Sequence, residues 1–158
     1  MPIGWCDDLA AAEDYFALER FHTDCWDDLG SGSAGGLKDK ALLMAYNRLY
    51  YDDRWDLPTY TEASVADLVI LSKANCEMAY YIACHVEDED RRKGIQAQGV
   101  IEAGVVKEKY KEDWLAVVPV PPVVISWLAP WLHVPTHFGA IDLAREEDES
   151  VNTKVHDF

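Results

Sequence analysis

Apolar positions recur at helical spacing along most of the chain up to Val86. In Leu9-Ala-Ala-Ala-Glu-Asp-Tyr-Phe-Ala-Leu-Glu-Arg20, residues Leu9, Ala12 and Phe16 share one face. Asp7 and Asp8 precede it, where carboxylates meet the positive end of a helix dipole. The pattern predicts a helix from about Asp8 to Arg20, with spacing that allows continuation through Trp26. Gly30-Ser-Gly-Ser-Ala-Gly-Gly36 holds four Gly and two Ser and reads as a flexible loop. Leu42, Ala45 and Leu49 then mark a second helix from Leu37 to about Asp52, ending near Asp52-Asp53-Arg54-Trp55 and before Pro58.

The clearest helix follows. Thr59-Tyr-Thr-Glu62 fits a capping box, and Ser64-Val-Ala-Asp67 offers a competing start. Val65, Leu68, Val69, Ser72, Cys76, Ala79, Ile82, Ala83 and Val86 form one stripe of small and medium apolar residues, widened by Tyr80 and Tyr81. At 1.5 Å per residue the element spans about 35 Å, long for so small a domain. It is expected to break up in Glu87-Asp-Glu-Asp90 and Arg91-Arg-Lys-Gly94, because acids oppose the dipole at a helix C-terminus. That charge run reads as a solvated end or a subunit contact.

Past Gly94 the pattern changes. Two β-branched runs around Glu102-Ala-Gly104 predict a β-hairpin over about 94–111. Such a hairpin is marginal alone and needs helices or another chain to lie on. Pro119-Val-Pro-Pro122 is extended, and Val123–Ala129 is expected to form a short helix with proline at its start and Pro130 near its end. The fold class is mainly α: a small helical bundle with one β-hairpin and an extended C-terminal arm. It divides into 1–118, bundle plus hairpin, and 119–158, a Pro/aromatic segment with the short helix and arm. Removing 119–158 is expected to leave the helical signal largely intact.

Charge narrows the function. The 158 residues carry 14 Lys+Arg against 29 Asp+Glu, a net charge of −15. Phosphate-gripping surfaces need the opposite balance, so general nucleic-acid binding and attraction to anionic lipid are disfavoured. The N-terminus lacks a basic and apolar leader, and prolines interrupt the apolar stretch 116–132, so neither a signal peptide nor a membrane span is expected. Cys6, Cys25, Cys76 and Cys84 form no CxxC pair, and reduced, mostly buried thiols are expected.

Candidate chemistry is sparse. His133-Val-Pro-Thr-His137 has the spacing of paired metal ligands, but Pro135 opposes the helix that would align them. His22 and Cys25 lack the third residue of a catalytic constellation. The acidic clusters lack calcium-loop spacing, and Gly30–Gly36 lacks the Lys-Ser/Thr ending of a phosphate loop. No enzyme activity, cofactor or metal is expected; a small His/Cys or carboxylate hydrolase is the remote alternative. Trp127, Trp131, Leu132 and Phe138, set among prolines, suit anchors on a partner. The competing reading is that this arm covers its own core.

Several pieces, read in order, resemble a known family: Ala12–Arg20, Trp26, Lys40-Ala-Leu-Leu-Met-Ala-Tyr46, Trp55-Asp-Leu-Pro58, the long Ala/Cys/Tyr helix, Arg91–Val100, Lys107-Glu-Lys-Tyr110 and Pro121–Leu128. Over about 5–132 the series is similar to the head–tail connector adaptor proteins of tailed bacteriophages, a family sometimes labelled DnaT-like and single-stranded-DNA-binding. The resemblance implies a twelvefold ring of this chain beneath the portal protein, joined to a stopper or tail-completion protein. It places the chain in the virion neck, made in the host bacterial cytoplasm, with double-stranded DNA passing but not held and no membrane involved. The C-terminal arm, with Trp127, Trp131, Leu132 and Phe138, would meet the portal. Ile95, Val100, Val105 and Tyr110 of the hairpin region are the expected inter-subunit contacts. The alternative function is a single-stranded-DNA-binding replication accessory protein, for which Arg91–Lys93 is the one basic candidate. The loop 30–36 and the tail after Leu132 depart from the family pattern.

Overall fold

The computed structural model describes residues 2–30, 35–97, 102–103, 108–109 and 119–133. Its elements are α1 (Leu9–Leu18), α2 (Asp24–Asp27), α3 (Leu37–Tyr50), α4 (Val65–Ala97), β1 (Glu102–Ala103), β2 (Glu108–Lys109) and α5 (Pro122–Leu128), followed by a 3-10 turn at Ala129–Trp131. The chain is a small, mainly α-helical bundle. α1, α2, α3 and α5 all pack against α4. β1 and β2 pair antiparallel, Glu102 opposite Lys109 and Ala103 opposite Glu108. The rest of the expected hairpin, and the tail beyond His133, lie outside the described residues.

Local chemistry sets the boundaries. Asp8 caps α1, its carboxylate accepting from the Ala11 amide at 2.9 Å. α1 stops at Leu18 and does not continue through Trp26; the chain turns at 19–23 and restarts as α2. Of the two possible starts for α4, Ser64 wins: its hydroxyl accepts from the Asp67 amide at 3.2 Å. Thr59 and Glu62 close a separate turn ahead of it, the Glu62 carboxylate accepting from the Thr59 amide at 3.1 Å.

Two expectations for α4 need correction. The helix runs through Glu87–Gly94 to Ala97. Its acids therefore sit inside the helix, away from the dipole end, and Glu89 is buried against α3. The buried face is also shifted. Leu71, Ala74, Asn75 and Met78 are buried, whereas Val65 is 83% and Val69 53% exposed. Position around the helix explains this: Leu71, Ala74, Asn75 and Met78 recur at three- and four-residue spacing on one side, which leaves Val65 and Val69 on the flank.

The core runs from the N-terminus to α5. Trp5, Phe16, Trp26, Leu42, Leu49, Leu71, Met78, Val124 and Leu128 are all buried in one cluster. Ile3 and Cys6 close a short hook through paired backbone hydrogen bonds of 2.9 and 3.1 Å. Gly4 within it has φ +63°, and a Cβ there would stand 2.7 Å from Tyr46 Cβ, so the position requires glycine. Residues 119–133, the described part of the C-terminal segment, contribute to this core as well. Val124 and Leu128 are fully buried, and 131–133 pair with 54–56: Asp56 donates to the Trp131 carbonyl and His133 to the Arg54 carbonyl, both at 2.8 Å.

Candidate interaction surface

α3 presents two apolar faces. Leu42, Ala45 and Leu49 point into the core, as their spacing predicts. On the other side, Leu37, Leu43, Met44 and, just past the helix end, Tyr51 remain exposed, at 56%, 51%, 37% and 76%. Lys40 and Asn47 lie between them. The only acid in α3, Asp39, is turned to the loop, accepting from the Gly35 amide at 2.6 Å. A chain of charge −15 thus carries a strip that is apolar and basic. The strip opens into a cleft of about 440 Å³ between α3 and α4, lined by Leu37, Lys40, Met44, Ile82, Val86 and Glu87 among others. A second exposed apolar pair, Leu18 (82%) and Phe21 (94%), stands at the corner between α1 and α2. Soluble surfaces rarely keep so many large apolar side chains wet without a use for them.

Ion pairs hold the frame behind this surface. Arg48 on α3 reaches Glu89 on α4 at 2.8 Å, and Lys93 reaches the same carboxylate at 2.9 Å. Burial pushes the Glu89 carboxyl up, but hydrogen bonds from Lys93 and Arg48 and their positive charges outweigh it, and the group stays below the ordinary carboxylate range. Across the bundle, Glu77 on α4 accepts from Tyr15 at 2.7 Å and pairs with Arg20, whose guanidinium lies 3.6 Å from the centre of the Tyr80 ring. Burial and the Glu77 carboxylate push the Tyr15 hydroxyl well above its ordinary value. Lys38, itself buried, pairs with Glu13 at 2.8 Å.

The anchor residues divide. Trp127 and Trp131 pack partly buried against the core, and Leu132, 55% exposed, forms an isolated bridge with Trp55. Ile95 is half-buried near the end of α4. Phe138, Val100, Val105 and Tyr110 lie outside the described residues. Sequence spacing missed the outer strip of α3, although Leu37, Leu43 and Met44 already fall on one helical face opposite Leu42 and Leu49.

Sulfur and histidine chemistry are rearranged relative to expectation. Cys25 and Cys84 are joined in a disulfide, their Cα atoms 5.2 Å apart across α2 and α4, which corrects the expectation of reduced thiols for this pair. Cys25 is therefore no partner for His22, whose ring meets Phe21 edge-on. Cys6 and Cys76 are free and buried. His133 pairs with Asp56 at 2.7 Å; His137 lies outside the described residues. Arg91 and Lys93 each face an acid of their own helix, Asp88 and Glu89. Among the described residues no group of three or more His, Cys, Asp or Glu is placed to hold a metal, and no helix is long and apolar enough to cross a membrane. No protein-family model matches the chain, nor does a curated protein or a solved structure.

Proposed function

We propose that the chain is a non-enzymatic structural protein of a virion: a head–tail adaptor. Its copies form a twelvefold ring beneath the portal protein, line the DNA exit channel and connect to the stopper or tail-completion protein. The observation that carries this reading is the outer strip of α3. The bundle completes its core with Leu42, Ala45 and Leu49 and still leaves Leu37, Leu43, Met44 and Tyr51 uncovered around Lys40. An apolar strip with Lys40 in its midst, on an otherwise acidic chain, fits a head-to-tail contact with an acidic neighbour, the kind of contact that closes a ring.

Two further observations support the reading. Those of the ordered motifs resembling the phage adaptors that lie wholly in the described residues fall on α1 and the residues after it, α2, α3, the segment 55–58, α4 and α5. A charge of −15 also suits a conduit that must let DNA pass without holding it, since acidic walls repel phosphate over about 8–10 Å at physiological salt. The reading places the protein in the virion neck after synthesis in the host bacterial cytoplasm. Its test is the mass of the particle formed alone and with portal protein, together with negative-stain images of purified necks. A ring of this chain seated on the portal is expected; a monomer that never co-purifies with portal overturns the proposal.

A further inference from the structure

Cys6 and Cys76 are 70 residues apart in sequence, and their sulfurs stand 3.7 Å apart. Nothing in the adaptor reading uses them. Cys6 ends the N-terminal hook, which Gly4 wedges between Tyr46 on α3 and Asn75 on α4. The Asn75 amide approaches the Cys6 sulfur at 3.6 Å, and the Ser72 carbonyl lies 3.8 Å from it. The two thiols are thus held against each other by backbone and side chains from both elements. Each is buried, yet both line a cleft of about 360 Å³, with Asp7, Tyr60, Val69 and Lys73 also on its walls.

We propose that Cys6 and Cys76 are a dithiol modification site, converted to a second disulfide by a small oxidised disulfide such as glutathione disulfide. The Cys6 thiolate attacks one sulfur of the reagent, giving a mixed disulfide and releasing one reduced thiol. Cys76 then gives up its proton and attacks the Cys6 sulfur, expelling the second reduced thiol. Two electrons pass from the protein sulfurs to the reagent, and both protons end on the released thiols. Cys6 is the attacking group because the contact with Cys76 and the Asn75 amide 3.6 Å away favour its thiolate, while the contact with Cys6 and burial keep Cys76 protonated. The product fastens the hook to α4 two turns before Cys84, where α4 is already bonded to α2. One helix would then hold both cross-links, and the hook could not peel away from it.

The test uses the full chain incubated folded with glutathione disulfide. Thiols titrated after denaturation should fall from two per chain to none, and peptide mapping should recover a Cys6–Cys76 cross-link beside the Cys25–Cys84 one. The midpoint of thermal unfolding should rise by roughly 5–15 °C, as expected for closing a loop of this length. Cys76→Ser should stop at a stable mixed disulfide on Cys6 and show no such rise. Two thiols that persist in the folded chain while the urea-unfolded chain is oxidised would overturn the proposal. So would a wild-type product that stays a mixed disulfide or links two chains.

Discussion

Arg48 and Glu89 form a buried ion pair, 2.8 Å apart, between the last turn of α3 and the distal half of α4. Glu89 is 3% exposed, so its charge depends on the partners that surround it. Removing one partner of a buried pair leaves a charge without compensation. Arg48→Met should therefore destabilise the fold by about 2–3 kcal/mol, with Lys93 limiting the loss. Urea unfolding of the variant checks this.

The same carboxylate gives a pH dependence. Its folded value lies below the ordinary 4.5, so its contribution to stability is complete above that value. The contribution is lost as pH falls through the lower folded value, when protonation breaks both ion pairs. Glu89→Gln should flatten this acid limb while lowering stability at neutral pH. Unfolding midpoints measured from pH 7 down to about 3 should separate the two proteins least at the acid end.

The Cys25–Cys84 disulfide closes a loop with a sequence separation of 59 and binds the four-residue α2 to α4. So short a helix has little stability of its own. Reduction, or Cys25→Ser, should cost about 2–4 kcal/mol. Thermal melts with and without reductant measure it, and the serine variant should be insensitive to reductant unless Cys6 and Cys76 have been oxidised.

What could be read from residues alone follows the range of the interactions involved. The inward face of α3 and the proline-started α5 were legible because spacing and ring geometry act within a few turns. The adaptor reading came from ordered motifs and remains a proposal. The 25–84 pairing was not legible, since no local pattern reports that α2 lies beside α4. The run Glu87–Asp90 looked like a helix end because its compensating cation, Arg48, sits 41 residues earlier. Val65 and Val69 looked buried because periodicity says which residues share a face and nothing about which of two adjoining stripes, 65/69/72/76 or 71/74/75/78, meets the neighbouring helices.

The outer strip of α3 makes a prediction that separates association from folding. Leu43 and Met44 are exposed, so Leu43→Glu and Met44→Glu should change stability by no more than about 0.5 kcal/mol each. If the strip is the ring contact proposed above, placing carboxylates on it should nonetheless abolish ring assembly. Sedimentation and melting curves on the same samples decide it: normal folding with loss of the ring is expected. Unchanged assembly would remove the strip from the interface.

Removing 119–158 is expected to leave the helical signal largely intact, and the packing of α5 adds an expected loss of stability. Leu128 is fully buried on α4, and Val124 one turn earlier is buried with it. Leu128→Ala should cost about 3 kcal/mol through lost burial and the cavity left behind. Leu132→Ser, a few residues on at a 55% exposed position, should cost well under about 1 kcal/mol. If portal docking depends on the arm, Leu132→Ser should weaken docking at nearly normal stability, whereas Leu128→Ala should lose docking only as it unfolds. Deleting 119–158 mixes the two effects, because it strips Val124 and Leu128 from the core together with any anchor. Circular dichroism of that truncation should accordingly show a lower melting temperature. A truncated chain that melts like the intact one would mean that α5 contributes nothing to the bundle it packs on.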